Sequence, residues 1–495
     1  MNKAIIVQNG IRIERSFQAP APLSALLPDF PQPCGGRGFC GNCRIRVQGK
    51  VSAPTAEERT RLSVDQLKDG VRLACQVTAL GDVSVFIKTS QSLTKADAIV
   101  PQLRKPLGSS YGFAIDLGTT TLWAALYNLQ NGECIASACA ANPQRRMGAD
   151  VLSRMDYAMQ HGGIELSRLV RHALYDLCAQ LLMQSCLAPN DVDAAVLVGN
   201  TAMLYLLLER NPRSIAMSPF QCDTLFGGFY PADFLPVCRG TKIYIPPCIS
   251  AFLGTDAVAA AIVCGMDTSC SRMLADLGTN GEILLRCDDV LCGCSCAAGP
   301  AFEGVGLSCG MAAAEGAVCS VMLSGGQMLY DTIGKKPPTG ISGSGYIDFI
   351  ACLRKSGKLK KDGTLESDRI YLADTPLYIT QQDIRTFQLA KSAVRTGMEY
   401  LLDAVPDKQA VELTIAGSFG TALRMQSAVQ IGLIPTQIAS HAHTAGNAAG
   451  TGAAMILLDE SCIPRAHSIA AQTKTVQLTQ EADFNDRLCH YLELA

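Results

Sequence analysis

No stretch of this chain approaches the 18 consecutive apolar residues needed to span a bilayer. The N-terminus, MNKAIIVQNGIRIERSF, breaks into polar residues too soon for the apolar core of a signal peptide. The chain is therefore read as cytoplasmic, with no membrane partner. A charge excess is missing too: 42 Lys and Arg against 44 Asp and Glu leave a net charge of −2, which argues against a general nucleic-acid binder held by phosphate neutralisation. Two nucleotide signatures are absent, the P-loop GxxxxGK[ST] and a GxGxxG at a strand-to-helix turn near Asp116. Histidine occurs only six times; His441 and His443 alone lie close together, and such a pair in a loop reads as a solvated turn.

What is present is length, asymmetry and sulfur. A chain of 495 residues holds about two to four domains. Residues 1–90 carry twelve Lys and Arg against seven Asp and Glu, so a basic head precedes an acidic body. Twenty-two cysteines in a large chain without an export signal point to metal ligation plus buried thiols, in a reducing and anaerobic setting.

The head, residues 1–90, reads as a compact mixed-sheet module. AIIVQNGIRIERSF predicts a hairpin; a short helix follows around Leu23, Leu26 and Leu27. A Gly/Cys loop spans 34–43, followed by a strand over Arg44–Gln48, a helical stretch over Glu57–Lys68 and a closing strand over Asp82–Lys88. Residues 91–110 read as a linker. From Tyr111 to the end, strands and helices alternate in the α/β manner: strand Phe113–Leu117, helix 164–186 with a core-facing stripe, strand Ala195–Val198, helix 202–209. Two echoes suggest duplication. AIDLGTTTL (114–122) is repeated as LADLGTNGEIL (274–284), and LVGNTAML (197–204) as IAGSFGTAL (415–423), in the same order.

Cys34, Cys40 and Cys43 are separated by five and two residues in CGGRGFCGNC, and Cys75 follows in RLACQ. Four thiolates at nearly this spacing hold a [2Fe–2S] cluster in plant-type ferredoxins, which have four rather than five residues in the first gap. The glycines of the loop allow tight turning around an anionic cluster. Four buried thiols or a zinc site are the alternatives, although zinc sites more often pair two short knuckles. The segment resembles the [2Fe–2S] ferredoxins, of which adrenodoxin-like and bacterial members have the five-residue gap. The resemblance implies a β-grasp, α+β domain that carries one electron, and the basic charge suggests an acidic docking partner.

In the body, Asp116-Leu-Gly-Thr-Thr-Thr121 places a carboxylate at a strand end before a glycine turn rich in hydroxyls. Such a hairpin can wrap phosphate oxygens while the carboxylate orients Mg²⁺ through water. Asp276-Leu-Gly-Thr-Asn-Gly-Glu282 repeats the device, so two hairpins could clamp a polyphosphate. Gly417-Ser-Phe-Gly420 would admit a nucleoside close to the backbone, and Asn447-Ala-Ala-Gly-Thr-Gly452 opens a small-residue helix. Together these motifs resemble the superfamily of acetate and sugar kinases, heat-shock protein 70 and actin, over 111 to about 460. The resemblance implies two ribonuclease-H-like halves, actin-like in architecture, with ATP and Mg²⁺ between them. Carried over to this sequence, Asp116 and Asp276 would hold Mg²⁺ and the attacking water. Gly118, Thr119, Thr120, Gly278, Thr279, Asn280 and Gly281 would hold phosphates, and Gly417, Ser418 and Gly420 would line the nucleoside site. ISGSGYID (341–348) is expected as a short loop at the cleft, and Trp123 beneath the first hairpin.

The combination, with GNTAMLYLLL, DLGTNGEI, AAGPAFEG and GSGYID, is similar to the reductive activators of corrinoid proteins. That resemblance implies ATP-coupled, one-electron reduction of an inactive Co(II) corrinoid protein to Co(I), in support of a methyltransferase system. Its partners would be that corrinoid protein and a low-potential electron donor, with the choice between monomer and homodimer open. Glu303 would polarise water or touch the partner. Larger members insert a middle domain, whereas this chain passes almost directly from ferredoxin to ATPase. About 59 mV equals a tenfold factor for one electron, so an ATP-driven bias of a few kcal/mol can overcome about one to two hundred millivolts. Competing readings are a small-molecule kinase with a fused ferredoxin, an activator of the 2-hydroxyacyl-CoA dehydratase type, and a nucleotide-gated docking module. Cys287, Cys292, Cys294, Cys296 and Cys309 crowd the second half. The alternation in CGCSC is expected to send successive side chains in opposite directions, which suits ligation poorly. Cys178, Cys186 and Cys264 are expected in the core.

Overall fold

The computed structural model describes residues 2–8, 11–27, 43–62, 64–87, 102–235, 238, 242–417 and 423–495. In the head, β1 (Asn2–Gln8) and β2 (Ile11–Phe17) form the expected antiparallel hairpin. The short helix α1 (Leu23–Leu26) buries Leu23 and Leu26. In β3 (Arg44–Val51) the period of two turns Ile45 and Val47 into the core and Arg44 and Arg46 to solvent. The stretch expected as one helix over Glu57–Lys68 is two, α2 (Ala56–Arg61) and α3 (Val64–Lys68). The break comes where Leu62 turns extended and drops its side chain into the core. With β4 (Val71–Leu73) and β5 (Thr78–Ile87), the sheet order is β2-β1-β5-β3-β4, and β1 and β5 run parallel, a β-grasp arrangement.

One buried ion pair ties this sheet to its helix. Glu58 accepts from Arg72 Nε at 2.9 Å and Nη2 at 2.7 Å, from Leu73 N at 2.9 Å and from Thr55 N at 3.0 Å. Burial alone would raise the Glu58 pKa, but these hydrogen bonds more than offset it and hold it below the usual glutamate value.

The body repeats one sheet twice. In the first half, β6 (Tyr111–Leu117), β7 (Thr121–Asn128) and β8 (Cys134–Ala141) form an antiparallel meander. Helices α4 (Val151–His161) and α5 (Ile164–Gln184) follow, and α5 buries Leu166, Val170, Leu174, Leu177, Leu181 and Leu182. Then β9 (Val192–Gly199) pairs parallel with β6 and leads into α6 (Thr201–Leu207). β10 (Phe226–Pro231) and β11 (Lys242–Pro247) complete the order β10-β11-β9-β6-β7-β8, and α7 (Thr255–Val263) follows.

The second half rebuilds this from β12 (Cys270–Leu277), β13 (Gly281–Asp288) and β14 (Val290–Cys296), again an antiparallel meander. After a small separate sheet formed by Ala317–Ser324, Gln327–Thr332 and Gly340–Ile341 come the helices α8 (Gly343–Lys355) and α9 (Gln381–Leu402), with the hairpin of Arg369–Tyr371 and Tyr378–Thr380 between them. Then β15 (Glu412–Ala416) pairs parallel with β12, and β16 (Ala442–Gly446) with β15. The order is β16-β15-β12-β13-β14, with Lys474–Thr475 at the edge. Each sequence echo therefore falls on equivalent strands: β6 with β12, β9 with β15. The halves join where α7, rich in alanine, crosses α10 (Ala448–Leu458), rich in alanine and glycine. A Cβ on Gly452 would lie 2.2 Å from the Ala259 carbonyl oxygen, so glycine is what lets these backbones touch.

Four expectations need correction. Cys292, Cys294 and Cys296 are every second residue of β14, so they share one face and all enter the core beside α9; it is Gly293 and Ser295 that face away. Cys186 lies exposed just beyond α5 at a φ of 56°, while Cys178 and Cys264 are buried as expected. The segment ISGSGYID is mostly the buried start of α8, capped by Ser342, and not a loop. His443 lies on β16 with Nε2 3.0 Å from Thr414 Oγ1, and not in a turn. Trp123 is buried on β7 against Gly450 of α10, opposite Asp116 in register.

Removing Glu58 as Glu58→Ala leaves the Arg72 guanidinium buried without its partner and should cost the head about 3–5 kcal/mol, read by denaturant unfolding. The wild-type pair contributes fully above the ordinary glutamate value of 4.5 and fades as pH falls through the lower folded value. The variant's deficit should therefore shrink in acid; a deficit that is constant with pH would contradict this.

Candidate nucleotide and cluster sites

The register of the two meanders aims their turns alike. Asp116 stands at the end of β6 opposite Trp123, and Asp276 at the end of β12 opposite Glu282. Gly118 must be glycine because a Cβ there would lie 2.4 Å from the Thr121 carbonyl oxygen. The hairpin turns of the two halves meet, with Thr120 Oγ1 3.3 Å from Thr279 Oγ1. Thr279 also donates to Glu303 Oε1 at 2.8 Å, and Glu303 lies on the short turn Pro300–Glu303. Gly278 N bonds the Asn280 carbonyl at 3.0 Å, and Gly281 starts β13. Gly417 adopts a φ of +95°, and a Cβ on it would strike Asp276 Oδ1 at 2.7 Å. Ser418 and Gly420 lie outside the described residues.

Two cross-half hydrogen bonds frame these turns. Asn200, capping α6 in the first half, donates to Glu282 Oε1 of the second at 3.0 Å. Asn447, capping α10 in the second half, hydrogen-bonds Asp116 of the first.

Between these bonds gather four carboxylates: Asp116, Asp256, Asp276 and Glu282. Burial, then the Asp256 and Asp276 charges, pushes Asp116 up to about 8. Burial and Asp276 push Asp256 up to about 7, and burial pushes Asp276 up to about 6. Glu282 is raised by burial and by the other three. Mutually repelling oxygen donors in an enclosed site are the environment that a hard divalent cation relieves. Among the described residues no three of them converge as direct ligands of one ion. That fits Mg²⁺, which keeps waters and takes one or two carboxylates plus phosphate oxygens.

Sequence reasoning named Asp116 and Asp276 but missed Asp256. Its signal is GTDAVAAA, a glycine turn opening a small-residue helix, which echoes AGTGAAMI on α10.

In the head, the loop carrying Cys34 and Cys40 lies outside the described residues. Cys43 and Cys75 do converge, with Sγ atoms 3.3 Å apart, and Ala74 N donates to the Cys43 carbonyl at 2.7 Å. Two thiols brought this close, from chain positions 32 apart, suit ligation of one iron. Glu58, by holding Leu73, fixes the strand that delivers Cys75.

Comparison with known proteins agrees with this layout. Residues 12–80 match the 2Fe-2S iron-sulfur cluster binding domain, residues 111–269 the RACo middle region, and residues 271–495 the C-terminal ASKHA domain of RACo. The middle region expected to be missing is thus present and forms the first of the two like halves. The chain is 32% identical over 412 residues to the corrinoid activation enzyme RamQ of Eubacterium limosum, covering 76% of this chain and 68% of that one. It is 24% identical over 365 residues to the [Co(II) methylated amine-specific corrinoid protein] reductase of Methanosarcina barkeri, 66% of each chain. The solved structure of a reductive activator for corrinoid, iron-sulfur protein aligns over 99% of this chain and 98% of that chain, with 25% identity and a TM-score of 0.73.

Asp256→Asn removes one of the repelling charges. Without Mg²⁺ it should melt higher than wild type, by about 2–4 °C per kcal/mol of repulsion relieved, and it should gain less from added Mg²⁺. A thermal scan in which Mg²⁺ raises both proteins equally would count against a cation held by this cluster.

Proposed function

We infer the working cycle from one premise: the chain belongs to the family of reductive activators of corrinoid proteins. It is an ATP-dependent iron–sulfur enzyme that reduces an inactive Co(II) corrinoid protein to Co(I). The observation that carries this reading is the pairing of two like hairpins at a carboxylate cluster with a converging cysteine pair in the same chain.

ATP binds between the hairpins. Thr119, Thr120, Thr279 and Asn280, with the backbone of Gly118, Gly278 and Gly281, take its phosphates. Gly417, followed by Ser418 and Gly420, admits the nucleoside. Asp116, Asp256, Asp276 and Glu282 hold Mg²⁺ directly or through water. The hairpin turns touch through Thr120 and Thr279, 3.3 Å apart, so a phosphate bound between them contacts both halves at once. Occupancy of the site is thereby linked to how the halves sit about the crossing of α7 and α10. Glu303 Oε1 is fixed by Thr279, while Oε2 is buried and makes no hydrogen bond among the described residues, so this carboxylate is placed to take a proton from water.

Cys34, Cys40, Cys43 and Cys75 hold the [2Fe–2S] cluster. When bound, the cluster supplies a one-electron carrier. A low-potential donor loads the electron, and the corrinoid protein of a methyltransferase system receives it. The chain's task is to couple the movement of its two halves to that uphill step, which ATP hydrolysis is large enough to drive.

Two variants separate the parts. Cys75→Ala should abolish Co(I) formation and retain ATP hydrolysis. Asp276→Asn should keep the cluster absorbance and lose ATP hydrolysis by about a hundredfold or more, since a bound metal supplies several kcal/mol of charge stabilisation. The checks are visible spectroscopy of the corrinoid and a phosphate-release assay. Transfer of phosphate to an added acid or sugar would defeat the reading in favour of a kinase.

A further inference from the structure

The segment ANPQRRMGADVLSRM, to which the sequence reading gave no role, wraps the first hairpin. Asn142 N donates to the Thr120 carbonyl at 2.8 Å, and Asn142 Nδ2 to the Gly118 carbonyl at 2.9 Å. This staples the short turn Pro143–Arg146 to the phosphate hairpin. Arg154, on α4 and fully buried, donates through Nη1 to the Thr119 carbonyl at 2.7 Å and through Nε to the Gly148 carbonyl at 3.0 Å. Its third nitrogen, Nη2, and the Nε of Arg145 are buried and make no hydrogen bond among the described residues. The same is true of Glu303 Oε2. Arg154 lies within electrostatic reach of both Arg145 and Glu303, and burial lowers its pKa to about 10. Burial, then the neighbouring Arg146 charge, lowers that of Arg145.

Buried guanidinium nitrogens are costly to leave without acceptors. Arg154 lies beside the hairpin turn within electrostatic reach of Glu303, and Arg145 lies on the short turn stapled to the same hairpin.

We propose that Arg145 and Arg154 form an oxyanion pocket that receives the terminal phosphoryl group of ATP as it is cut, and then holds orthophosphate. The inference rests on the ATP reading above. Water forms a bond to the γ-phosphorus while the bond to the β,γ-bridging oxygen breaks. ADP leaves with that electron pair, and the water proton passes to Glu303 and on to solvent. Orthophosphate remains against the two guanidiniums, whose planar donors match its oxygens. Carboxylates and arginines then orient the triphosphate, with its metal-binding side toward the carboxylates and its transferring end toward the arginines.

The test uses the full chain, with MgADP, inorganic phosphate and orthovanadate as probes, and the variants Arg145→Met and Arg154→Lys. Arg145→Met removes no side-chain hydrogen bond known to hold the fold. Arg154→Lys retains a cation but loses the fork. Both should bind MgADP like wild type in calorimetry. Both should lose orthovanadate inhibition in the presence of ADP by about ten- to a hundredfold, and phosphate release in single turnover should slow by about a thousandfold. Wild-type vanadate sensitivity in a folded Arg145→Met protein would overturn the proposal. So would competition against ATP turnover by acetate but not by phosphate, because the pocket would then serve an acid acceptor. Failure of wild type to bind MgADP would instead overturn the ATP reading, and this inference with it.

Discussion

Mutual repulsion among four carboxylates, two contributed by each half, is the constraint around which the body is built. Asp116 and Asp256 come from the first half, Asp276 and Glu282 from the second. Each is raised by its enclosure, and all but Asp276 also by charges among the others. A core would not ordinarily collect such groups, since burying unpaired charge costs several kcal/mol. The cost is sustained because the surroundings over-determine the arrangement. Asn200 and Asn447 each reach across to the opposite half, and the α7–α10 crossing packs backbone against backbone. The body is thus closely packed where its halves cross and gathers raised carboxylates where their turns meet.

The head solves a different problem. Cys75 has to be brought to Cys43 from a distant part of the chain. The Glu58–Arg72 pair contributes to this by tying α2 to β4, which ends two residues before Cys75. The pair is nearly sealed from solvent, so its strength does not depend on salt as a surface pair would. The Glu58–Arg72 pair is buried charge that is matched, whereas the four carboxylates of the body are buried beside one another.

Much of this was legible in the sequence because repetition leaves a trace. The two Asp-Leu-Gly-Thr turns and the two apolar-strand-to-glycine turns fall on equivalent strands, since each marks a place where a strand must end in a tight turn. Of the four cysteines, Cys43 and Cys75 are seen to meet, but the short strand Val71–Leu73 that brings Cys75 to Cys43 was not expected from the sequence. Asp256 and Arg154 were not picked out from the sequence. Where each side chain lies depends on which way its helix faces once docked; GTDAVAAA offers only its echo of AGTGAAMI, and ADVLSRM offers none. The cysteines of CGCSC were misjudged by misapplying the strand period: residues two apart share a face, so all three thiols go inward together. Cys186 was misplaced because periodicity ran past the true end of α5.

The central claim is that nucleotide chemistry in the body drives an electron uphill from the head. It is tested most directly by mixing the reduced, cluster-loaded protein with a Co(II) corrinoid protein and following the visible spectrum with ATP, with ADP and with neither. The account predicts that Co(I) accumulates with ATP and stays near its unassisted level in the other two. Equal yields of Co(I) in all three would contradict it.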